Sequence, residues 1–234
     1  MDDHPLINLF NLLDLLVEEF LTASEILQPP VNPETLLKNK ACSFFGLGAP
    51  SRSKKPQLTS FDSTEPNSNL IKQHWNQAQQ LATALQIEAK ARWAKCNDEQ
   101  SALGISWINL LAQRILVPTH WFKSLASSTD YDLPALKKIF PNAAYEIIAL
   151  RMLDLPQTCI ITLVDNSHIT KRKSNHFKAS KLLEPIESLV LNYVHENSRP
   201  KHLNENGWRI SGWPVHQLDW RREILRSIPP DISD

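Results

Sequence analysis

Apolar residues recur at positions 6, 9, 10, 13, 16, 17, 20, 21 and 27, with Asp14, Glu18, Glu19 and Glu25 on the other side. That 3.6-residue period predicts an amphipathic helix over residues 6–27. Pro29-Pro30-Val31-Asn32-Pro33 stops it, and Asn32 followed by Pro33 reads as an N-cap with proline in the first helical position, opening a short helix through Lys38. Residues 41–68 change to Gly, Pro, Ser, Thr and Lys, which predicts a long flexible loop. Residues 69–95 contain no Gly or Pro and keep apolar positions 71, 75, 78, 81, 82 and 85 in helical register.

A further helix fits residues 101–117, ended by Pro118, and His120-Trp121-Phe122 begins another turn. Residues 133–140 and 142–155 read as two helices separated by Pro141-Asn142, with Asn142 as N-cap of the second, a helix-turn-helix pattern. The β-branched runs 159–164 and 168–173 flank Asp165-Asn166-Ser167 and predict a β-hairpin. Residues 182–195 return to helix, 208–213 alternate weakly like a strand, and 219–227 read as a closing charged helix. The expected fold class is mainly α with a small β component (α+β). Its expected divisions are 1–40, an entry segment; 41–68, a flexible loop; 69–127, a helical unit; and 128–234, a helix pair with a hairpin.

Composition narrows the chemistry. The 234 residues carry 25 basic and 25 acidic side chains, so no global field draws the chain to nucleic acid or an anionic membrane, and any such contact must be a local patch. Three cysteines, Cys42, Cys96 and Cys159, lack CxxC spacing and read as reduced thiols. The start Met1-Asp2-Asp3-His4 has the wrong charge for a secretory leader, and the most apolar stretch is short of the ~20 residues that span a bilayer. A cytoplasmic protein without membrane contact is expected.

No Gly-x-Ser-x-Gly occurs, and only five glycines are present, with no phosphate loop among them. None of the eight histidines has another four residues away on a helix, and His195, His202 and His216 lie scattered in polar sequence. Trp208, Trp213 and Trp220 are read first as core filling and second as a contact surface.

Three stretches in order along the chain carry a resemblance. Pro29-Pro30-Val31-Asn32-Pro33-Glu34 leads into a short helix. Lys72-Gln73-His74-Trp75-Asn76-Gln77-Ala78-Gln79-Gln80-Leu81-Ala82-Thr83 lies on the long helix, and Asn109-Leu110-Leu111-Ala112 runs on to Leu116-Val117-Pro118. Together they resemble the ImmA/IrrE family of intracellular zinc peptidases, which cleave helix-turn-helix repressors. The resemblance implies a zincin-like helical unit over 69–127 whose active-site helix would carry His-Glu-x-x-His. A histidine pair four apart shares a helix face to hold zinc, and the glutamate between them activates the metal-bound water.

Here the matching positions are Gln79, Gln80 and Thr83, which offer neither imidazole nor general base. The acid that would supply the third ligand is missing as well, since no Asp or Glu occurs between Ser101 and Thr129. His74 does not replace a ligand, because five residues turn it roughly 140° around the helix from Gln79. The resemblance therefore implies a pseudo-peptidase with no catalytic residue, no metal and no cofactor. It would be a regulatory protein binding another protein, such as a helix-turn-helix repressor, through the former substrate groove. One alternative is a DNA-binding regulator in which Lys171, Arg172, Lys173 and Lys178 neutralise phosphates on a winged-helix hairpin. Another is a residual metallopeptidase with a rearranged site.

Overall fold

The computed structural model describes residues 4–38, 68–96, 106–216 and 220–230. The protein is mainly helical with one small antiparallel sheet of five strands, the fold class the sequence pattern predicts. Two compact units are present. Among the described residues the first comprises 4–38, 69–96, 106–128 and 138–143, and the second comprises 68, 129–137, 144–216 and 220–230. The predicted loop over 41–68 lies outside the described residues except for its last position, as do residues 101–105 of the predicted 101–117 helix.

In the first unit, α1 (His4–Ala23) buries Leu9, Leu13, Leu16, Val17, Phe20 and Leu21, the stripe its periodicity marks. The helix ends where Glu25 adopts φ 60° and the Ile26 N–H reaches back to the Leu21 carbonyl, closing the open carbonyls of the last turn without a glycine. Asn32 caps α2 (Pro33–Lys38) as expected, its Oδ1 accepting from the N–H of Glu34 at 3.0 Å. In α3 (Ser68–Cys96) the buried residues Ile71, His74, Trp75, Ala78, Leu81, Ala82, Leu85, Ala89 and Trp93 form one face. The Trp93 ring meets Trp107 edge-on at the start of α4 (Trp107–Leu116). α1 packs on α4 and on α5 (Thr119–Ser128). Asp14, expected on the polar side of α1, is partly buried: it accepts from Arg114 Nε at 2.8 Å and from the Thr119 hydroxyl, anchoring all three helices on one carboxylate. Arg114 is fully buried; burial lowers its pKa, and the ion pair with Asp14 opposes that shift only in part.

α6 (Leu133–Ile139) matches the first helix of the predicted pair. The second is shorter than the predicted 142–155: α7 is Tyr145–Arg151, followed by a 3-10 turn at Met152–Asp154. Asn142 is not its cap, because its side-chain amide donates to the Val31 carbonyl at 2.7 Å and Ala144 takes the cap position.

In the second unit β1 (Ile160–Asp165) and β2 (His168–Ser174) form the predicted hairpin. The helix expected over 182–195 is α8 (Pro185–Asn197), opened by Glu184 and Glu187 bonding reciprocally to each other's backbone, with Pro185 at its first position. β3 (Lys201–Glu205) and β4 (Trp208–Pro214) make a second hairpin across Asn206-Gly207, both at positive φ, the pairing such a two-residue turn favours.

The helix predicted over 219–227 is not what its described residues, 220–227, form: Arg222–Ile228 is β5, the central strand in the order β2-β1-β5-β4-β3. The charges that suggested an exposed helix are buried in this strand and bonded on both faces of the sheet. Leu225 and Glu223 face α8, whereas Arg222 turns toward Glu146 of α7. α8 packs over Val190 and Val194 on Ile210 and Leu225. Gly212 permits that approach, since a Cβ there would lie 2.8 Å from Val190 and 2.9 Å from Val194 and Leu225. Trp213 is buried with its indole N–H donating to Asp132 at 3.1 Å, the core role expected of it.

Candidate functional site

Gln79, Gln80 and Thr83 lie within five residues of one another on α3. Gln79 is half-buried, and Gln80 and Thr83 are exposed. The Gln79 amide donates to Asn109 Oδ1 at 3.0 Å, and the Thr83 hydroxyl donates to the Gln79 carbonyl at 2.8 Å. Two stretches thirty residues apart in sequence, those around Gln79 and Asn109, thus meet at an amide pair. Such a pair has donors and acceptors but no group that ionises near neutral pH, so it can position a polar ligand and cannot move a proton as a general base does. His74 is buried on the same helix, away from the exposed Gln80 and Thr83.

The hairpin cations divide. Consecutive residues on a strand point to opposite faces. Lys171 Nζ pairs with Glu146 Oε1 at 2.6 Å, and Arg172 Nη1 and Nη2 pair with the two oxygens of Glu187 at 3.1 and 2.8 Å. Arg172 also donates to the Ser180 carbonyl and to the Thr162 hydroxyl. Lys173 and Lys178 are exposed. The helix preceding the hairpin presents little to a groove, because Glu146 and Arg151 are buried. β1, moreover, is paired on both sides by β2 and β5, so the hairpin is part of the sheet rather than a projecting wing.

Glu146 itself bridges Lys171 and Arg222, and Arg222 in turn donates to both oxygens of Asp165. Glu146, Asp165 and Arg222 are buried and pair with one another and with Lys171, which leaves little of their charge for a ligand.

A second polar group forms where sequence reasoning saw scattered residues. Glu223 on β5 is fully buried, and its Oε1 accepts from His195 Nδ1 at 2.8 Å and from His216 Nε2 at 2.7 Å. Ser198 Oγ lies 3.0 Å from His216 Nδ1. α8 supplies His195 and its C-cap Ser198, the end of β4 leads to His216, and β5 supplies Glu223. The one local signal for this assembly is Asn206-Gly207, whose hairpin brings 216 back beside 198; no spacing motif marks the four residues. The shared carboxylate oxygen sits between the rings as acceptor, where a metal would need open space. Among the described residues no three His, Cys, Asp or Glu side chains are placed to hold a metal ion.

A shallow, mainly apolar groove of about 220 Å³ lies on the second unit, lined in part by Ile160, Phe177, Trp208 and Pro230. Among the described residues no helix is long and apolar enough to cross a membrane. Compared with known proteins, the chain matches no family model and no curated sequence.

Proposed function

We propose that the chain is a regulatory protein, a degenerate relative of the ImmA/IrrE peptidases, that binds another protein at the exposed face of α3 around Gln80 and Thr83 without metal-dependent cleavage. The observation that carries this reading is the Gln79–Asn109 amide pair. It occupies, with polar but non-ionising groups, the place where the resembling motif would set a zinc ligand, and Gln80 and Thr83 remain exposed beside it. A surface that has lost its hydrolytic groups keeps its shape for a polypeptide, and binding is the activity that such a site retains. By resemblance the partner is a helix-turn-helix repressor met in the cytoplasm. The DNA-binding alternative has less support, since Lys171 and Arg172 are engaged within the sheet and only Lys173 and Lys178 stand exposed.

The test is site-specific photo-crosslinking from position 80 in the native cell, with Thr83→Arg as block and Lys173→Ala as control. A discrete protein adduct lost in Thr83→Arg and kept in Lys173→Ala supports the reading. Adducts indifferent to Thr83→Arg overturn it, as does about one zinc per purified chain that disappears when His74 is changed.

A further inference from the structure

Ser198, His216 and Glu223 are joined in series on the second unit, whereas the residues that resemble a peptidase motif belong to the first. An ionised carboxylate only accepts hydrogen bonds, so both imidazoles must turn an N–H toward Glu223 Oε1. For neutral His216 that fixes the Nε2–H tautomer and leaves Nδ1 with its lone pair facing Ser198 Oγ at 3.0 Å. The serine hydroxyl is then the donor, and His216 is positioned to take its proton. Glu223 is fully buried and bonded to a second ring, His195, so the acceptor that orients His216 is itself held from two sides.

Two further features fit a nucleophile. Ser198 is exposed and sits in the left-handed region, φ 50° and ψ 35°, a conformation that is unfavourable for a non-glycine residue and recurs at functional sites. The next residue, Arg199, is exposed, and its backbone N–H donates no hydrogen bond among the described residues. An unpartnered N–H directly after a nucleophilic serine is the donor that a developing oxyanion uses. The carbonyl end of α8, with His195 in its last turn, favours the imidazolium formed when His216 accepts the proton.

We propose that Ser198 is a nucleophile toward small, unhindered acyl esters, with His216 as its general base and Glu223 as the residue positioning His216. Ser198 Oγ attacks the ester carbonyl as its proton passes to His216 Nδ1. The carbon–oxygen bond to the leaving alkoxide breaks, and that oxygen takes the proton from His216. Water then gives a proton to His216 and attacks the acyl carbon, and the Ser198 oxygen leaves and recovers its proton, releasing the carboxylic acid. Because the serine stands on an open surface, the expected turnover is slow and weakly selective.

The experiment uses the full chain with p-nitrophenyl acetate and a fluorophosphonate probe. Expected are a burst of about one p-nitrophenol per chain, as an accumulating acyl-enzyme gives, and a phosphonyl adduct mapped by peptide mass spectrometry to Ser198. Ser198→Ala removes both. His216→Gln lowers the rate by about 100-fold or more, the loss of a general base, with an unchanged circular dichroism spectrum. Glu205→Gln, at an exposed position outside this group, retains the adduct, whereas Glu223→Gln changes the pH–rate profile and not only the yield of folded protein. Absence of an adduct at Ser198, or ester hydrolysis undiminished in Ser198→Ala, overturns the proposal.

Discussion

Arg172 on β2 grips both oxygens of Glu187 on α8, at 3.1 and 2.8 Å, with the two side chains 5% and 0% exposed. A cation read from sequence as a phosphate contact is thereby a structural link between helix and sheet. Removing one member of a buried pair leaves the other uncompensated, which costs about 3–5 kcal/mol. Arg172→Ala is therefore expected to lower the urea midpoint sharply, and Lys173→Ala, at an exposed site, to change stability by less than about 0.5 kcal/mol. Equal midpoints for the two variants would contradict the ion-pair assignment.

The same geometry decides how DNA binding must be tested. Replacing Lys171, Arg172 and Lys173 together would perturb the fold, so the informative variant is Lys173→Ala with Lys178→Ala. Mobility shifts across ~50 to 200 mM salt are expected to show no more than weak binding to duplex DNA, with little change in the double variant. Tight wild-type binding that falls steeply with salt and is lost in the double variant would favour a nucleic-acid partner, since phosphate contacts release counterions.

Gly212 admits α8 to the sheet. A methyl group there meets two valines and a leucine at 2.8–2.9 Å, and overpacking of this kind costs about 1–3 kcal/mol. Gly212→Ala should lower the melting temperature, and Val190→Ala introduced into that variant should recover part of the loss. A Gly212→Ala protein as stable as the wild type would mean that α8 can withdraw from β4.

Burial raises the pKa of the Cys159 thiol, with Arg226 acting in the opposite, lowering sense. A raised folded pKa means that stability is fully present below the unfolded value, near 8.5 for a free thiol, and falls as pH rises above it, because the unfolded chain ionises first. Urea midpoints measured from pH 7 to pH 10 should fall more for the wild type than for Cys159→Ala. Parallel curves would show that the thiol does not contribute. The thiol should also resist disulfide-exchange reagents until the protein unfolds, since the thiolate is the reactive form.

Local signals along the chain were sufficient wherever one element's own periodicity or cap decided its form. The stripe from Leu9 to Leu21, the Asn32 cap, the Gly- and Pro-free run of α3 and the turn between β1 and β2 all depend on neighbours within a few residues, and all were legible. The positions of Gln79, Gln80 and Thr83 on one helix followed equally from spacing. Their contact with Asn109 did not, because an amide pair thirty residues apart depends on how two helices dock.

Tertiary structure alone decided β5. Its sequence, Arg-Glu-Ile-Leu-Arg-Ser-Ile, looks like a solvated helix because charge ordinarily marks a surface, yet as the central strand it is buried on both faces, with Arg222 paired to Glu146 of α7 and Asp165 of β1 and Glu223 bonded to His195 of α8. Tertiary structure likewise sent Lys171 and Arg172 to different carboxylates and brought His195 and His216 to one oxygen of Glu223, with Ser198 on the far nitrogen of His216. The physical reason is the same in each case. A hydrogen bond or ion pair is formed by atoms adjacent in space, and in a sheet whose strands are ordered β2-β1-β5-β4-β3 adjacency in space is not adjacency in sequence.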